Sequence, residues 1–441
     1  MEGHWWKITL VAGLAMLAGG CGSWFGDKEP PPLPGERLSV LSHAQTVEPD
    51  PDLAETAILL PPPSANPDWP QTGGYANHAM HHIAVGDVLK KAWSVDIGAA
   101  ANDEQRIVAP PIMADGMVYA MDAETQVSAY RADTGARVWS VDLTPDDEDD
   151  GHINGGLAFE AGRVFVTTGF AQVVALDAKT GKEIWRRSLD GPMRVAPTAR
   201  GGRVFAITLE NKLYALNAAT GETLWNYAGT AEIATLLGGA SPAVDEDIVV
   251  APFSSGDLVA LRVETGRVLW TDSLVSARRT DAVSTLSQIR GRPIIDRGRV
   301  FAISHGDTMA AIDLRTGQRI WDKPIGGLES PWVAGDYLFV LTNDWELICL
   351  ARTSGRVFWV RPLPHFEDEE DKKGPIIWTG PILAGDRLIV AGSHGEALAV
   401  SPYDGRVLGR QELPDGVSVA PIVANETVYV LTNDASLVAL K

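Results

Sequence analysis

Three stretches of the 441-residue chain carry residue types whose spacing could do chemistry. The first, HAMHH, sets His78, His81 and His82 within five residues. Imidazoles that close can share a metal ion. No Cys, Asp or Glu stands near enough in sequence to complete a shell, so packing of His82 onto the fold is the better reading. The second, TPDDEDDG at 144–151, places Asp146, Glu148, Asp150 and Gly151 in the register of a calcium loop. Such a loop needs a bidentate Glu at 157, and that residue is Leu. The third, HFEDEEDKKG at 365–374, has five carboxylates in a row. Both acidic runs read as solvated loops able to face a basic surface. No G-x-S-x-G, P-loop or H-E-x-x-H is present. The expectation is therefore no catalytic residues, no metal and no cofactor.

Composition narrows the class. The formal charge is −20, which repels nucleic acid and anionic lipid heads. Fourteen tryptophans and 44 glycines suit an all-β fold with many short strands and tight turns. The two cysteines, Cys21 and Cys349, cannot form a disulfide framework. Lys7 and the apolar run Ile8–Gly19 read as a secretory signal, too short to span a bilayer. The segment LAGGC then resembles a bacterial lipobox, with cleavage before Cys21 and a lipid on its thiol. Ala18 stands where such boxes usually have Leu. Residue 22 is Gly, not Asp, which by the sorting rule for enteric lipoproteins implies the outer membrane. The expected division is 1–20 signal peptide, 21–69 Pro-rich tether and 70–441 a repeat domain. Proline at the density of EPPPLPGERL and ILLPPPSANPDWP favours extended chain, reaching on the order of 100 Å. Trp69, with GGY at 73–75, is expected to anchor the tether to the domain.

The element that organises the rest is a phrase of strand, turn and strand, such as ALDAKTGKEIW at 175–185. Seven copies carry Gly135, Gly181, Gly221, Gly266, Gly317, Gly355 and Gly405, with a period near 45 residues. Six of them end on Trp139, Trp185, Trp225, Trp270, Trp321 or Trp359, and the seventh on Gly409. The glycine serves a turn that a Cβ would penalise, and an Asp or Asn four residues earlier can bond the turn backbone. A Pro- or Gly-led strand and a strand like GRVFAIT precede each phrase. Four strands per unit make a propeller blade. Counting strands predicts an all-β, eight-bladed β-propeller of four-stranded antiparallel blades. KKAWSVDI at 90–97 supplies the outer strand of the last blade and closes the ring against the C-terminal strands. The Trp should pack across to a neighbouring blade, more weakly at Gly409.

The pattern A-x-D-x-x-T-G-x-x-x-W resembles the repeat of the pyrroloquinoline quinone (PQQ)-type β-propellers, over about 350 residues. Among these, the lipobox, Pro-rich tether and eight short blades are similar to the BamB family of outer membrane assembly lipoproteins. That resemblance implies a non-enzymatic scaffold of the outer membrane β-barrel assembly (BAM) complex. It would be lipid-anchored on the periplasmic face of the outer membrane, bind a BamA-type barrel protein and other subunits, and aid insertion of unfolded outer membrane chains. In that family two neighbouring inter-blade loops contact the barrel protein. The matching loops here are 229–240, with Leu236 and Leu237 as an apolar anchor, and 272–292, with Arg278, Arg279, Asp281, Gln288 and Arg290 as a polar rim. Leu237 replaces an Arg of the family pattern, and Gln288 and Arg290 stand about where it has acids, so the charge scheme is changed. Alternatively, Leu236 and Leu237 pack beneath a blade. Two other functions compete: a PQQ- and calcium-dependent dehydrogenase, and a generic periplasmic interaction propeller. The dehydrogenases need a calcium site and a catalytic Asp, and often an adjacent cysteine pair. This sequence has no such pair, no C-x-x-C-H and only short loops between blades.

Overall fold

The strand-forming runs are apolar and β-branched, and many do not alternate. Gln172–Asp177 shows why: Val173, Val174, Ala175 and Leu176 are all fully buried. Blades stack face to face, so a middle strand needs apolar side chains on both of its faces. The outer strand of the same blade, Glu183–Ser188, is mostly exposed. The computed structural model describes residues 47–148, 153–232, 235–275 and 287–441. The signal peptide, Cys21, the first part of the expected tether and residues 149–151 of the acidic run lie outside the described residues.

Eight four-stranded antiparallel sheets form the ring of blades. Blades 1 to 7 are meanders running from inner to outer strand: 112–142, 156–188, 198–228, 243–273, 294–323, 332–362 and 378–412. Blade 8 takes three strands, Ile422–Ala424, Thr427–Leu431 and Ser436–Leu440, from the C-terminal end. Its outer strand is Lys91–Asp96, paired with Ser94 opposite Val438. Lys90 and Lys441 exchange N–H···O bonds of 2.9 and 2.8 Å beyond that pairing. The predicted closure is observed, and it removes a long open edge. The acidic run at 365–374 adds a small hairpin, Phe366–Asp368 with Lys373–Pro375, between blades 6 and 7.

The repeated phrase is a latch between blades. In blade 2, Asp177 Oδ1 accepts from Lys179 N, Thr180 N and Thr180 Oγ1. The Thr180 hydroxyl, and then the backbone donors, hold that carboxyl below its ordinary range. Gly181 follows at φ +71°, where a Cβ would come within 2.7 Å of the Trp139 ring of blade 1. Trp139 Nε1 donates to Ala178 O of the same turn at 2.9 Å. The pairing repeats around the ring as Trp93–Gly135, Trp185–Gly221, Trp225–Gly266, Trp270–Gly317, Trp321–Gly355 and Trp359–Gly405. Gly409 breaks the series for a reason. It faces blade 8, whose outer two strands are far apart along the chain and have no such turn. A Cβ at Gly409 would meet nothing within 4 Å.

One end of the axis is plugged by chain that precedes the first blade. Residues 66–83 visit the inner strands in ring order. Asn66 Nδ2 donates to Val423 O of blade 8 at 2.6 Å, and Trp69 exchanges backbone bonds with Met113 of blade 1. Pro70 O accepts from Phe159 N of blade 2. The Gln71 side chain binds both the N–H and the C=O of Ala199 in blade 3, at 2.9 and 2.6 Å. Ala76 O and Asn77 O accept from Val244 of blade 4 and Ile295 of blade 5. His81 O accepts from Trp332 Nε1 of blade 6, and Ile83 bonds to blade 7 at Leu383 and Gly385.

One expectation changes here. The tether does not run free to residue 69, because Val47 onward is bound to the propeller. Asp50 pairs with Arg356 at 2.6 and 2.8 Å, and Leu59 N donates to Tyr337 Oη at 3.0 Å. Proline-rich chain has few backbone donors to satisfy and lies readily along a surface. The histidines of HAMHH also diverge. His78 Nδ1 meets Pro293 O, His81 Nε2 meets Asp296, and His82 Nε2 accepts from Asp386 N.

Candidate functional site

In a meander, the first and third turns of each blade lie on one face, and the middle turn and the inter-blade connection lie on the other. The plug covers the first face. On the second, the connections converge on the axis around a blind funnel of about 370 Å³. The residues just before the proline that opens five of the inner strands line it: Arg194–Ala196, Gly239 with Ser241, Arg290 with Arg292, Leu328–Ser330 and Ser418–Ala420. Arg106, Ile107 and Val108 complete that side of the wall.

Both loops singled out from the sequence reach this funnel. Loop 229–240 is rich in Gly, Ala and Thr, and has no strand periodicity. It is held by its neighbour. Gln288 Oε1 accepts from Leu236 N at 2.6 Å, Gln288 Nε2 donates to Gly238 O at 3.2 Å, and Arg290 Nε donates to Leu237 O at 3.1 Å. Three successive residues are thereby stapled to the second loop. Leu237 stands 42% exposed at the funnel mouth, and Leu236 is half-buried, so neither is core beneath a blade. Gln288 is only 4% exposed. It sits behind the rim and orients it, unlike the rim position expected. Arg290 is half-buried and also pairs with Glu329 at 3.3 Å. Arg278, Arg279 and Asp281 lie outside the described residues.

Arg292 and Glu329 also line a small chamber of about 30 Å³ at the funnel floor, against the plug. Trp69 Nε1, His78 Nε2 and Arg292 Nε are buried there without a protein partner. Burial, helped by the Arg292 charge, pulls the His78 imidazole down to about 3. Burial likewise lowers Arg292. Nearby, between blades 5 and 6, burial pushes the Asp296 carboxyl up, but hydrogen bonds and charge from His81 and Arg352 outweigh it and hold it below the usual range.

Sequence reasoning missed Arg106, Arg194, Arg292 and Glu329. A signal existed. Arg194, Arg292 and Glu329 fall one to three residues before the repeated proline, in MRVAP, GRP and ESP. Equivalent positions of a ring converge on its axis.

The acidic hairpin at 365–374 is largely self-contained. Glu369 accepts from His365 N and Phe366 N, Asp368 accepts from Glu370 N and Asp371 N, and Asp371 pairs with Lys373. Among the described residues no three His, Cys, Asp or Glu side chains group as metal ligands do.

Ring, latch and blind funnel together define an eight-bladed propeller of the PQQ-repeat class. The chain belongs to the outer membrane protein assembly factor BamB family, whose model matches residues 90–150, 123–361 and 368–441. It is 30% identical over 202 residues to the BamB of Legionella pneumophila (strain Paris), covering 46% of this chain and 50% of the relative. To the BamB of Escherichia coli (strain K12) it is 25% identical over 208 residues, covering 47% and 50%. The chain spans about half the length of the curated relatives it matches. The crystal structure of BamB from Moraxella catarrhalis superposes with a TM-score of 0.68 at 21% identity, over 80% of this chain and 100% of that one. A europium-containing methanol dehydrogenase gives 0.67 at 16%, over 83% and 90%. These two likenesses speak for the fold alone.

Proposed function

We propose that this chain is a non-enzymatic scaffold of the BAM complex. It is anchored by a lipid on Cys21 at the periplasmic face of the outer membrane, and its funnel face docks a BamA-type barrel protein. Family membership supports the coarse role. The observation that carries the finer one is the stapled pair of loops, which holds Leu237 outward on a rigid mount. A preordered apolar anchor loses little entropy on binding. Arg290 of the second loop lies beside it for polar contacts. By this reading the partner brings the acidic groups that the loop's changed charge scheme calls for.

The same geometry disfavours a dehydrogenase. A calcium ion on the axis needs several carboxylate or amide oxygens. Among the described residues the funnel offers one carboxylate, Glu329, and Arg290 already occupies it. The residues do not fit the calcium and quinone pair.

Affinity capture of the tagged full-length protein from mild-detergent-solubilised envelopes tests the proposal. The expected result is co-purification of a large outer membrane barrel protein with periplasmic repeats. Leu237→Asp should abolish that capture and leave Tm within about 2 °C, as a surface substitution does. Equal capture by the variant refutes the docking site, and capture of no barrel protein refutes the scaffold role.

A further inference from the structure

We propose that the axial funnel receives an acidic loop tip or chain terminus of a protein partner, whose carboxylates reach the guanidinium groups that line it. The proposal rests on the scaffold reading and gives the partner its chemistry. The whole chain carries 57 acidic against 37 basic residues, yet the funnel lining reverses that balance. Among the described residues Arg106, Arg194, Arg290 and Arg292 line it, against Glu329 alone. Glu329 pairs with Arg290. Among the described residues Arg106, Arg194 and Arg292 have no ion pair. The Nε of Arg292 is buried with no acceptor.

Arg106 is exposed and Arg194 half-buried. The enclosed Nε side of Arg292 has, among the described residues, only Glu329 near its charge, an acid already paired with Arg290. A partly desolvated cation short of counter-charge is destabilising. In a chain so rich in acids, three unpaired arginines converging on one cavity mark a place for an anion from outside. The rest of the cavity narrows what carries that anion. Its wall is apolar at Ile107, Val195, Leu237 and Val419, which suits a peptide with apolar residues beside its acids. Its volume, about 370 Å³, holds a few side chains. The plug leaves a single mouth, so the occupant enters and leaves the same way. A loop tip or terminus can do that, and a strand threaded along the axis cannot.

The test is fluorescence anisotropy with the full-length protein and two labelled synthetic peptides. One alternates leucine with glutamate, and the other carries glutamine in place of every glutamate. The glutamate peptide should bind at least about ten-fold more tightly, because charge-assisted bonds to guanidinium are lost in the other. Raising salt from about 50 to about 300 mM should weaken it. Arg292→Met and Arg194→Gln should each weaken it about ten-fold. Arg292→Met should also hold or raise Tm, since it removes a half-buried charge whose one nearby acid, Glu329, is already paired with Arg290.

Equal binding of the two peptides, binding of neither, or unchanged affinity in both variants overturns the proposal. So does a sharp fall in Tm for Arg292→Met, which would make that residue part of the scaffold. Displacement of the peptide by micromolar citrate would assign the site to a small carboxylate and also overturn it. The outcomes separate from those of the capture experiment. A captured barrel protein with no peptide binding removes the funnel site and keeps the scaffold. Peptide binding with no captured barrel protein does the reverse.

Discussion

His78 shows how much of this molecule's pH response can rest on one side chain. It is buried against the funnel floor, donates from Nδ1 to Pro293 O, and titrates near 3. Its unfolded value is about 6.5, so the unfolded chain takes up the proton first as pH falls. The stability it supports is complete above about pH 6.5 and declines steadily below, by about 2 kcal/mol at pH 5. His78→Asn keeps a donor and tolerates the left-handed backbone at φ +61°. The fall in Tm between pH 7.5 and 5 should shrink in that variant. An unchanged fall would place the titration elsewhere. From sequence alone His78 was one of three candidate ligands in HAMHH. Its burial depends on Arg292 and Pro293, more than two hundred residues away, which no local pattern contains.

At the scale of the element, the repeating unit is the latch, and its glycine and tryptophan act as a pair. Trp139→Ala removes a ring buried against the next blade and should cost about 3–5 kcal/mol. Gly181→Ala puts a Cβ into that ring from a left-handed backbone and should cost about 1–3 kcal/mol. With the ring gone, the methyl group has room. Denaturant unfolding of the double variant should therefore fall short of additivity by about 1 kcal/mol. Strict additivity would mean that the two residues act separately. Gly409→Trp should add no stability, because no turn faces it. The latch was legible in the sequence because it is local and occurs seven times. That Gly409 lies opposite the blade without a turn follows only from how the ring closes.

Residues 47–441 form a ring with one end of its axis closed, and the plug makes the difference between a channel and a funnel. Gln71 carries much of that closure, since its side chain takes the place of a neighbouring strand for Ala199. Gln71→Leu strands a buried N–H and a buried C=O and should cost about 2–4 kcal/mol. Capture of the partner should survive, because the staple of Gln288 and Arg290 lies on the opposite face. Loss of capture at unchanged stability would show that the plug shapes the docking face.

By itself the sequence determined whatever is local and repeated: four strands per unit, eight units, the turn glycine, the tryptophan latch and the strand that closes the ring. Each is specified within a few dozen residues, and each copy corroborates the others. The tertiary structure alone decided what occurs once. The plug visits eight blades along one short irregular segment, with no periodicity to betray it. Gln288 and Arg290 staple a loop some fifty residues before them, and Arg106, Arg194 and Arg292 meet only because a closed ring brings the start of every blade to its axis. A pattern can announce a ring, but which side chains share its centre depends on the closure, and closure is a property of the whole chain.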